Sequence, residues 1–403
     1  MPLHPTEHPA LVRVANFHRS EVPARPDPNG DPGAPRRLDV WGTGTDWAQL
    51  TWSRLGPGTV RIRVGDRPET EVIVDGGPGA HLVEGLSPAT RHEIVVVGDG
   101  IDPAGVTLAA TTLTPPPGEE LFRLATVSDV HLGCHTTGYL HTIAEIPTPA
   151  VPHTIRCLRT AQTEASFWGA QRLIVKGDLV DRSDREIWAE AADVLAALSI
   201  PVDILPGNHE RSKIGDVDPY LGAAEVGLDL VDGVRVVDVD GARLVFADTT
   251  RPGTDVGQID HADEIIDAAS ATSSPTLVFL HHQLIRHAIP TYLPVGVPRP
   301  AARRFLQALG EANPRTLVSS GHTHRHRRYD VGPVTVTEVG STKDFPGSWA
   351  GYQVFEGGIV QTVRRTSEPS VIRWTDHTRR AALGVWGRWA PGPMSSRCFA
   401  RRW

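Results

Sequence analysis

The chain has 403 residues, of which 40% are hydrophobic and 22% are charged, and its formal net charge at pH 7 is -7. This length favours two domains, and this composition is typical of a soluble globular protein without a membrane partner, since no stretch approaches the roughly 18 apolar residues of a membrane helix. The negative net charge provides no overall attraction to nucleic acid.

The first 35 residues predict a flexible leader. Residues 1–35 include PARPDPNGDPGAPRR, in which proline, glycine and charge leave no hydrophobic period. The first residues also lack a basic segment followed by an apolar one, so the sequence indicates no secretory signal. Three cysteines without CxxC spacing, Cys134, Cys157 and Cys398, argue against a disulfide scaffold. We therefore expect a cytoplasmic protein.

Residues 36–114 have the pattern of an all-β domain. Short alternating runs are separated by glycine, proline and aspartate turns: LDVWGTG, AQLTWSRL, VRIRVGD, TEVIVDG, HEIVVVGDG and VTLAATTLT. This alternation predicts an immunoglobulin-like β-sandwich. Trp52 and the phrase VEGLSPATRHEIVVV resemble the fibronectin type III fold, in which a tyrosine usually stands at the position of His92. We expect this domain only to pack against its neighbour or to position it.

A proline-rich linker, residues 115–118, separates this domain from one of mixed type at residues 119–365. Consecutive prolines favour an extended, stiff conformation. Beyond them we predict helices over residues 153–169, 184–198, 260–271 and 300–312. The strands predicted around them are LFRLATVSD, RLIVKGD, VDILPGN, VRVVDV, ARLVFAD, TLVFLHH, RTLVSSGH, VTVTEVG and GYQVFEGG. Strands that alternate with helices predict an α/β sheet sandwich.

Side chains that can bind metal ions follow five of these apolar runs. The motifs are SDVHLG, KGDLVDR, PGNHER, FLHHQ and SGHTHRH. Ligands bind at the carboxyl ends of strands in α/β sheets, so we expect these motifs to converge. In an extended segment residues i and i+2 point the same way. We therefore expect Asp129 and His131 to share one side, and His322 and His324 another.

These motifs offer carboxylate, imidazole and amide donors without a thiolate. Such donors suit Mn, Fe or Zn held for chemistry. Seven ligands are too many for one ion, so we predict two metal ions that share a bridging carboxylate. At the FLHHQ motif we choose His281 as the ligand, and His282 remains the alternative. The predicted ligands are Asp129, His131, Asp178, Asn208, His281, His322 and His324.

The ordered set D-x-H, G-D, G-N-H-[DE], H and G-H-x-H resembles the calcineurin-like metallophosphoesterase superfamily, over about residues 121–363. The resemblance implies an αββα sandwich in which a metal-bridging hydroxide attacks a phosphoester. His209 would contact the phosphate and assist the leaving group, whereas His326 is not expected to bind a metal. Two ligand sets would share Asp178: Asp129, His131 and His324 for the first metal, and Asn208, His281 and His322 for the second.

The motifs leave the phosphoester open. GDLVDR and GNHE resemble the Ser/Thr protein phosphatases, whereas Gly-His-Thr-His is more similar to the bacterial phosphodiesterase branch, which includes the class III cyclic-nucleotide phosphodiesterases. We therefore expect a phosphodiesterase, with cyclic nucleotides as one candidate substrate. The alternatives are a phosphomonoesterase or protein phosphatase, and a nuclease, because DVHLG also resembles double-strand-break repair nucleases. A non-enzymatic scaffold would be expected to have lost ligands, and no ligand is missing.

Several residues beside the motifs are candidates for substrate contact. The long insertion over residues 132–153 lies next to the first motif, and long loops over a site often recognise substrates. Guanidinium groups match phosphate oxygens bidentately, although each arginine here could equally be a solvated charge. The candidates are Asn208, His209, His135, Tyr139, Arg286 and Arg325.

The C-terminal tail, residues 366–403, combines tryptophans with many arginines. Its tryptophans are Trp374, Trp386, Trp389 and Trp403. Interleaved aromatic and basic residues suit single-stranded nucleic acid, but they also dominate protein interfaces. We favour packing onto the catalytic domain, or a homo-oligomer formed through the tail or the sandwich domain.

Overall fold

A computed structural model describes residues 38–98, 101, 104–138, 141–146, 149–213, 215–287 and 295–403. The predicted leader and the candidate residue Tyr139 lie outside this part of the chain. Within it, no helix is long and apolar enough to cross a membrane.

Seven strands at the start of the described chain form two antiparallel sheets. They are β1 (Leu38–Thr43), β2 (Ala48–Leu55), β3 (Gly58–Val64), β4 (Thr70–Val74), β5 (Gly77–Val83), β6 (Arg91–Gly98) and β7 (Val106–Thr111). The first sheet has the order β1-β2-β5 and the second has the order β4-β3-β6-β7. Alternate residues of both sheets, including Leu50, Trp52, Ile62 and Ile94, pack into one buried core.

Strands and helices are mixed in the rest of the chain. The strands are β8 (Glu120–Val127), β9 (Thr136–Thr137), β10 (Ile143–Ala144), β11 (Leu173–Lys176), β12 (Val202–Leu205), β13 (Val234–Val239), β14 (Ala242–Ala247), β15 (Thr276–Phe279), β16 (Thr316–Ser320), β17 (Arg327–Val331), β18 (Val334–Glu338), β19 (Ser348–Phe355), β20 (Gly358–Arg365) and β21 (Phe399–Arg402). The helices are α1 (His153–Phe167), α2 (Arg185–Leu195), α3 (Asn208–Ser212), α4 (Pro219–Glu225), α5 (Ala262–Ser270), α6 (Arg299–Ala312), α7 (Pro369–Thr378), α8 (Val385–Trp389) and α9 (Met394–Arg397). The mixed α/β fold predicted from the sequence is confirmed.

Two six-stranded sheets form the centre of this part. Their orders are β12-β11-β8-β19-β20-β21 and β13-β14-β15-β16-β18-β17. Between them lies an apolar layer that includes Leu124, Ile174, Phe246, Phe279 and Tyr352. Helices α1 and α2 cover the outer face of the first sheet, and α5 and α6 cover that of the second. The central strands β11 (LIVK) and β15 (TLVF) are fully buried and almost entirely apolar, because a strand buried on both faces needs apolar residues on both sides.

The four helices predicted from hydrophobic periodicity correspond to α1, α2, α5 and α6. Their ends lie within three residues of the predicted ends. Helices α3, α4, α8 and α9 and strands β9 and β10 were not predicted, because elements of two to seven residues are too short to show a period. Strand β5, whose sequence is GPGAHLV, was missed because its glycines and proline indicate a turn.

The N-terminal sheets and the C-terminal tail both pack on the first six-stranded sheet. Trp41 Nε1 donates to the Val363 carbonyl oxygen at 3.1 Å. The Gln49 side chain exchanges two hydrogen bonds with the Arg365 backbone, at 2.7 and 2.9 Å. From the tail, β21 pairs with β20, and the Arg397 guanidinium lies 4.0 Å from the centre of the Trp41 ring. The tail is therefore part of the fold.

Candidate metal centre

The predicted metal ligands lie just beyond the carboxyl ends of five strands. Strands β8, β11 and β12 are parallel neighbours, and so are β15 and β16. Parallel neighbours bring their carboxyl ends to one edge of a sheet. The ligand candidates follow these five ends in chain order, from Asp129 after β8 to His324 after β16.

Asp178 lies at the middle of the cluster. Its Oδ1 atom is 3.4 Å from His281 Nε2, and its Oδ2 atom is 3.7 Å from His131 Nε2. His281 Nε2 is also 3.0 Å from the Asn208 side-chain oxygen. The two oxygens of one buried carboxylate therefore face two different groups of donors.

The remaining candidates complete these two groups. His324 Nε2 lies 3.4 Å from Asp129 Oδ1 and 3.4 Å from His131 Nε2. The His322 ring centre lies 5.0 Å from that of His281. Four sets of three donors have ligand atoms within 4.8 Å of one another: His281 with His282 and His322, Asp129 with His131 and His324, His131 with Asp178 and His209, and Asp129 with Asp178 and His281.

Left-handed backbone brings these side chains together. A positive φ is rare outside glycine and costs about 1–2 kcal/mol per residue. The extended backbone expected for the pairs at 129/131 and 322/324 is therefore wrong, because all four residues have a positive φ beyond the ends of their strands. Asp129 and His131 still share one donor set, whereas His322 and His324 belong to different sets. Five of the seven ligand candidates have a positive φ: Asp129 at 54°, His131 at 52°, Asp178 at 52°, His322 at 66° and His324 at 51°.

Two glycines of the motifs are required by the close packing of the cluster. A Cβ atom on Gly207 would overlap the Oδ1 atom and the backbone nitrogen of Asp178. A Cβ atom on Gly177, whose φ is +85°, would overlap the His281 ring. Glycine is the residue that allows backbone to approach this closely. The glycine of each G-D and G-N-H-E motif therefore makes room for a candidate ligand that comes from another segment.

Groups outside the seven candidates orient three of the histidines. His324 Nδ1 donates to Asp344 Oδ2 at 2.9 Å, and His281 Nδ1 donates to the Lys176 carbonyl oxygen at 2.8 Å. His322 Nε2 faces the Val295 carbonyl oxygen at 3.0 Å. An acceptor on one ring nitrogen fixes the proton there and leaves the other nitrogen as a donor to a metal. Sequence reasoning missed Asp344, which lies in KDFPG without a recognisable motif.

Glu210 shapes the loops that carry Asp178 and Asn208. Its buried carboxylate accepts hydrogen bonds from the backbone N–H groups of Gly207 at 2.7 Å, Val180 at 2.9 Å and Asp178 at 3.1 Å. Burial and the nearby Asp178 charge raise the pKa of Glu210 to about 7. Both carboxylate oxygens accept backbone hydrogen bonds, so the side chain acts as a clamp between two strand ends.

His209 contacts the cluster from its partly exposed side. Its Nδ1 atom is 2.9 Å from Asp181 Oδ1, and its Nε2 atom is 3.9 Å from Asp178 Oδ2. Burial lowers the pKa of His209, but the charge of Asp178 and the hydrogen bond to Asp181 outweigh it, so the pKa lies above its ordinary value. A protonated imidazole is therefore favoured at this position.

The charges of the cluster fit a divalent metal. Burial alone would raise the pKa of Asp129 and of Asp178, but neighbouring imidazoles hold both pKa values well below the usual range. Burial lowers the pKa of His322 to about 4, so this imidazole is neutral at pH 7. Ionised carboxylates and neutral imidazoles are the forms that bind transition metals. His324 differs, because the charges of Asp344 and Asp129 outweigh its burial and raise its pKa to about 10, so this imidazole must release a proton when it binds a metal. With that proton released, the donor types fit the expected Mn, Fe or Zn.

His282 and His326 have other surroundings than the seven candidates. His282 Nδ1 is 3.0 Å from the Thr249 hydroxyl, and its buried Nε2 has no hydrogen-bond partner among the described residues. Unlike His281, it forms no hydrogen bond or ion pair with Asp129 or Asp178 among the described residues, although it belongs to one donor set with His281 and His322. His326 is buried away from the cluster, where its two ring nitrogens bond Gly340 and Ser348.

The candidate substrate contacts are dispersed, apart from Asn208 and His209 in the cluster. The Arg325 side chain is buried, lies 3.2 Å from Glu338 and stacks over the Trp389 ring at 4.4 Å. Arg286 is exposed and lies over the Tyr329 ring. His135 is exposed on the insertion, and Tyr139 is outside the described residues. Neither arginine is paired with a residue of the cluster in the described contacts.

Comparisons with known proteins agree with this geometry. The sequence profile of the family described as calcineurin-like phosphoesterase matches residues 122–326, half of the chain. A probable cyclic nucleotide phosphodiesterase from Fibrobacter succinogenes is 26% identical over 129 residues, which cover 30% of this chain and 46% of that protein. A glycerophosphodiester phosphodiesterase from Enterobacter lignolyticus is 30% identical over 118 residues, which cover 27% of this chain and 41% of that protein. The matched segments thus span less than half the length of these curated relatives.

A solved structure of a dimetal phosphatase from Danio rerio is also similar. It has a TM-score of 0.46 and 16% identity, and the match covers 64% of this chain and all of that chain. The profile match carries the assignment, because it includes the segments that bear all the predicted metal ligands. The chain belongs to the calcineurin-like phosphoesterase family.

Proposed function

We propose that this protein is a dinuclear metal-dependent phosphodiesterase. The observation that carries the proposal is the position of Asp178, whose two oxygens face His281 on one side and His131 on the other. One carboxylate between two groups of donors is what a pair of metal ions requires. The names of the two curated relatives, both phosphodiesterases, support the same reaction class.

Asp178 would be shared by two ligand sets. The first set is Asp129, His131 and His324, and the second is Asn208, His281 and His322. When bound, two such ions supply Lewis-acid stabilisation of the phosphate charge and activate the attacking water. The protein contributes a rigid donor set, because Asp344, Lys176 and Val295 hold the imidazoles in fixed orientations.

His209 would protonate the leaving oxygen. The carboxylates of Asp178 and Asp181 favour its protonated form, and its partial exposure lets it meet a substrate. A general acid whose pKa lies near the working pH is the most effective. The Lys213 ammonium donates a hydrogen bond of 2.8 Å to the Asp181 carboxylate, which keeps that carboxylate charged. We assign His209 as the catalytic acid and Asp181 as the residue that positions it.

A diester is the preferred substrate, and a cyclic nucleotide is one candidate within that class. The Gly-His-Thr-His motif at residues 321–324 resembles the phosphodiesterase branch, and a curated relative is named as a probable cyclic nucleotide phosphodiesterase.

Strands β1–β7 would form a fibronectin type III-like domain that supports the enzyme. The observation that favours this fold is that two antiparallel sheets, of three and four strands, enclose one buried core.

Hydrolysis of bis(p-nitrophenyl) phosphate tests the proposal. Metal-free protein would be resupplied with Mn, Fe or Zn and compared on this diester, on p-nitrophenyl phosphate, on adenosine 3′,5′-cyclic phosphate and on single-stranded DNA. Asp178→Ala would be assayed beside Asp229→Ala, a control whose side chain is 82% exposed.

We expect metal-dependent turnover of the diester that exceeds turnover of the monoester, and its loss in Asp178→Ala but not in Asp229→Ala. Faster monoester turnover would replace the diesterase by a phosphomonoesterase. Cleavage of DNA alone would identify a nuclease. Folded, metal-loaded protein that hydrolyses none of the four substrates would contradict the proposal.

A further inference from the structure

A tryptophan of the C-terminal tail lies beside the candidate metal centre. The Trp386 ring centre is 6.4 Å from that of His324, with an angle of 68° between the two planes. The Nε2 atom of His324 faces Asp129 and His131, so Trp386 flanks one of the ligand histidines. The profile match ends at residue 326, and this tryptophan lies far beyond it.

Contacts on both sides fix Trp386 in this position. Its Nε1 atom donates to the Phe345 carbonyl oxygen at 3.0 Å, next to Asp344, which orients His324. At the end of the same short helix, the Ala390 carbonyl oxygen accepts a hydrogen bond of 2.8 Å from the His326 backbone. The tail is thereby bonded to the loop that follows β16 and to the loop that precedes β19.

A small apolar cluster supports the ring from behind. Trp386 packs against buried residues of the insertion, of α1 and of the tail: Ile143, Cys157, Val371, Trp374 and Ala381. The insertion is also tied to the centre, because the Thr137 hydroxyl donates to Asp344 at 3.2 Å. Trp386 nevertheless remains partly exposed. It is therefore anchored by these contacts and still partly accessible.

Other apolar side chains around Trp386 face solvent. Leu383 is fully exposed, Val385 is 57% exposed and Trp389 is 38% exposed. The Trp389 ring lies 6.3 Å from that of Trp386, but Arg325 stacks on it. Exposed apolar groups that lie close together often mark a binding surface. Trp386 is the member of this group that contacts a ligand histidine.

We propose that Trp386 forms an aromatic wall of the active site and selects phosphoesters whose ester group carries a planar ring. This inference rests on the proposed function, since the metals would fix the phosphate and the ester group must then lie against the surrounding wall. A tryptophan offers a large, rigid apolar face on which such a ring stacks or packs edge-on. The C-terminal tail therefore supplies part of the substrate specificity.

Binding of two phosphonates by calorimetry tests this assignment without requiring turnover. Phenylphosphonate and methylphosphonate carry the same charged group and differ in the ring. Both would be titrated into the metal-loaded full chain and into the Trp386→Ala, Trp386→Phe and Trp389→Ala variants. Trp386→Phe keeps a ring if the alanine variant is unstable, and Trp389→Ala is the matched control on the same helix.

We expect Trp386→Ala to bind phenylphosphonate roughly threefold to tenfold more weakly, the range of one aromatic contact, with methylphosphonate changed less than twofold. Trp386→Phe should retain most of the preference, and Trp389→Ala should retain all of it. If both phosphonates bind to the wild-type protein but their ratio is the same in Trp386→Ala, the aromatic wall is refuted and the phosphodiesterase stands. If neither phosphonate binds to metal-loaded wild-type protein, the proposed phosphate site itself fails, and the wall fails with it.

Discussion

At the scale of single residues, the pKa values of two neighbouring imidazoles are shifted in opposite directions. The Nδ1 atoms of His131 and His209 are 3.1 Å apart. Burial, with the nearby His209 charge, lowers the pKa of His131 to about 3, whereas Asp178 and Asp181 raise the pKa of His209 against the effect of its burial. A neutral imidazole can bind a metal and a protonated one can donate a proton. These opposite shifts suit the two roles proposed for His131 and His209.

Replacing His209 should therefore affect substrates according to their leaving group. We expect His209→Ala to lower kcat by about 10²–10⁴ for diesters of poorly acidic alcohols, the usual contribution of general acid catalysis. The loss should be smaller with p-nitrophenyl esters, whose leaving group needs little protonation. Steady-state rates over a series of leaving groups measure this. His261→Ala, which removes the histidine paired with Glu264 on the surface, is the control. An equal loss for every leaving group would contradict the assigned role.

The residue types of the centre were predictable, but their backbone was not. The motifs indicate the seven ligand candidates because few other side chains bind metals. The sequence around Asp129 or His322 contains no signal for a positive φ, since a tertiary structure must hold a conformation that the residue itself disfavours. For the same reason Asp344 could not be found, because only the fold brings its loop to His324.

At the scale of secondary-structure elements, the first turn of α3 connects two strand ends. Glu210 in this turn accepts hydrogen bonds from backbone N–H groups of the segments after β11 and after β12. A helix of only five residues, such as α3, is too short to show a hydrophobic period in the sequence. The long helices α1, α2, α5 and α6 were predictable because each repeats an apolar face several times.

The clamp made by Glu210 should contribute to stability without any metal. In Glu210→Gln an amide N–H₂ faces backbone donors, so at least one buried N–H loses its acceptor. We expect the free energy of unfolding to fall by about 1–3 kcal/mol, the cost of an unsatisfied buried donor. Urea denaturation of metal-free protein measures it. A change below about 0.5 kcal/mol, the level of a surface substitution, would show that the clamp is dispensable.

The start of α1 should make the fold sensitive to mild acid. His153 is buried, stacks on Trp374 with ring centres 4.0 Å apart, and its Nδ1 atom is 3.2 Å from Glu145. Burial lowers the pKa of His153 below its ordinary 6.5, although the hydrogen bond to Glu145 opposes this. The unfolded chain therefore takes up a proton near pH 6.5, before the folded chain does. This contribution to stability is present above that pH and is lost as the pH falls toward the folded pKa.

Thermal unfolding between pH 8 and pH 5 would measure this effect. The Tm of the wild-type protein should fall more steeply with acidification than the Tm of His153→Phe, which keeps the ring stack and removes the titrating group. Parallel Tm curves for the two proteins would exclude His153 as a source of the acid sensitivity.

At the scale of the whole molecule, contacts distant in sequence join the N-terminal sheets to the central sheets. Gln49 and Arg365 are 316 positions apart and share two buried hydrogen bonds. The sequence predicted a sandwich, a linker and an α/β domain from local patterns. It could not predict this interface, because no local pattern specifies which surfaces of two domains meet.

Loss of the Gln49 amide should weaken the entire chain. In Gln49→Ala the Arg365 N–H and carbonyl groups lose their buried partners, and we expect the free energy of unfolding to fall by about 2–4 kcal/mol. Glu71→Ala, an exposed change in the same sheets, is the control. Calorimetry should show a single unfolding transition in wild-type protein, because the N-terminal sheets and the central sheets share a buried interface. Two separate transitions in wild-type protein would mean that the interface does not couple them.

Counting the bound metal ions per chain is the most direct test of a dinuclear centre bridged by Asp178. Metal-free protein would be loaded with excess Mn, dialysed and analysed for its metal content, beside Asp178→Asn and the exposed control Asp229→Asn. We expect two ions per chain in the wild-type protein and in Asp229→Asn, and at most one in Asp178→Asn. One ion or none in the wild-type protein, or two ions retained in Asp178→Asn, would contradict a dinuclear centre bridged by Asp178.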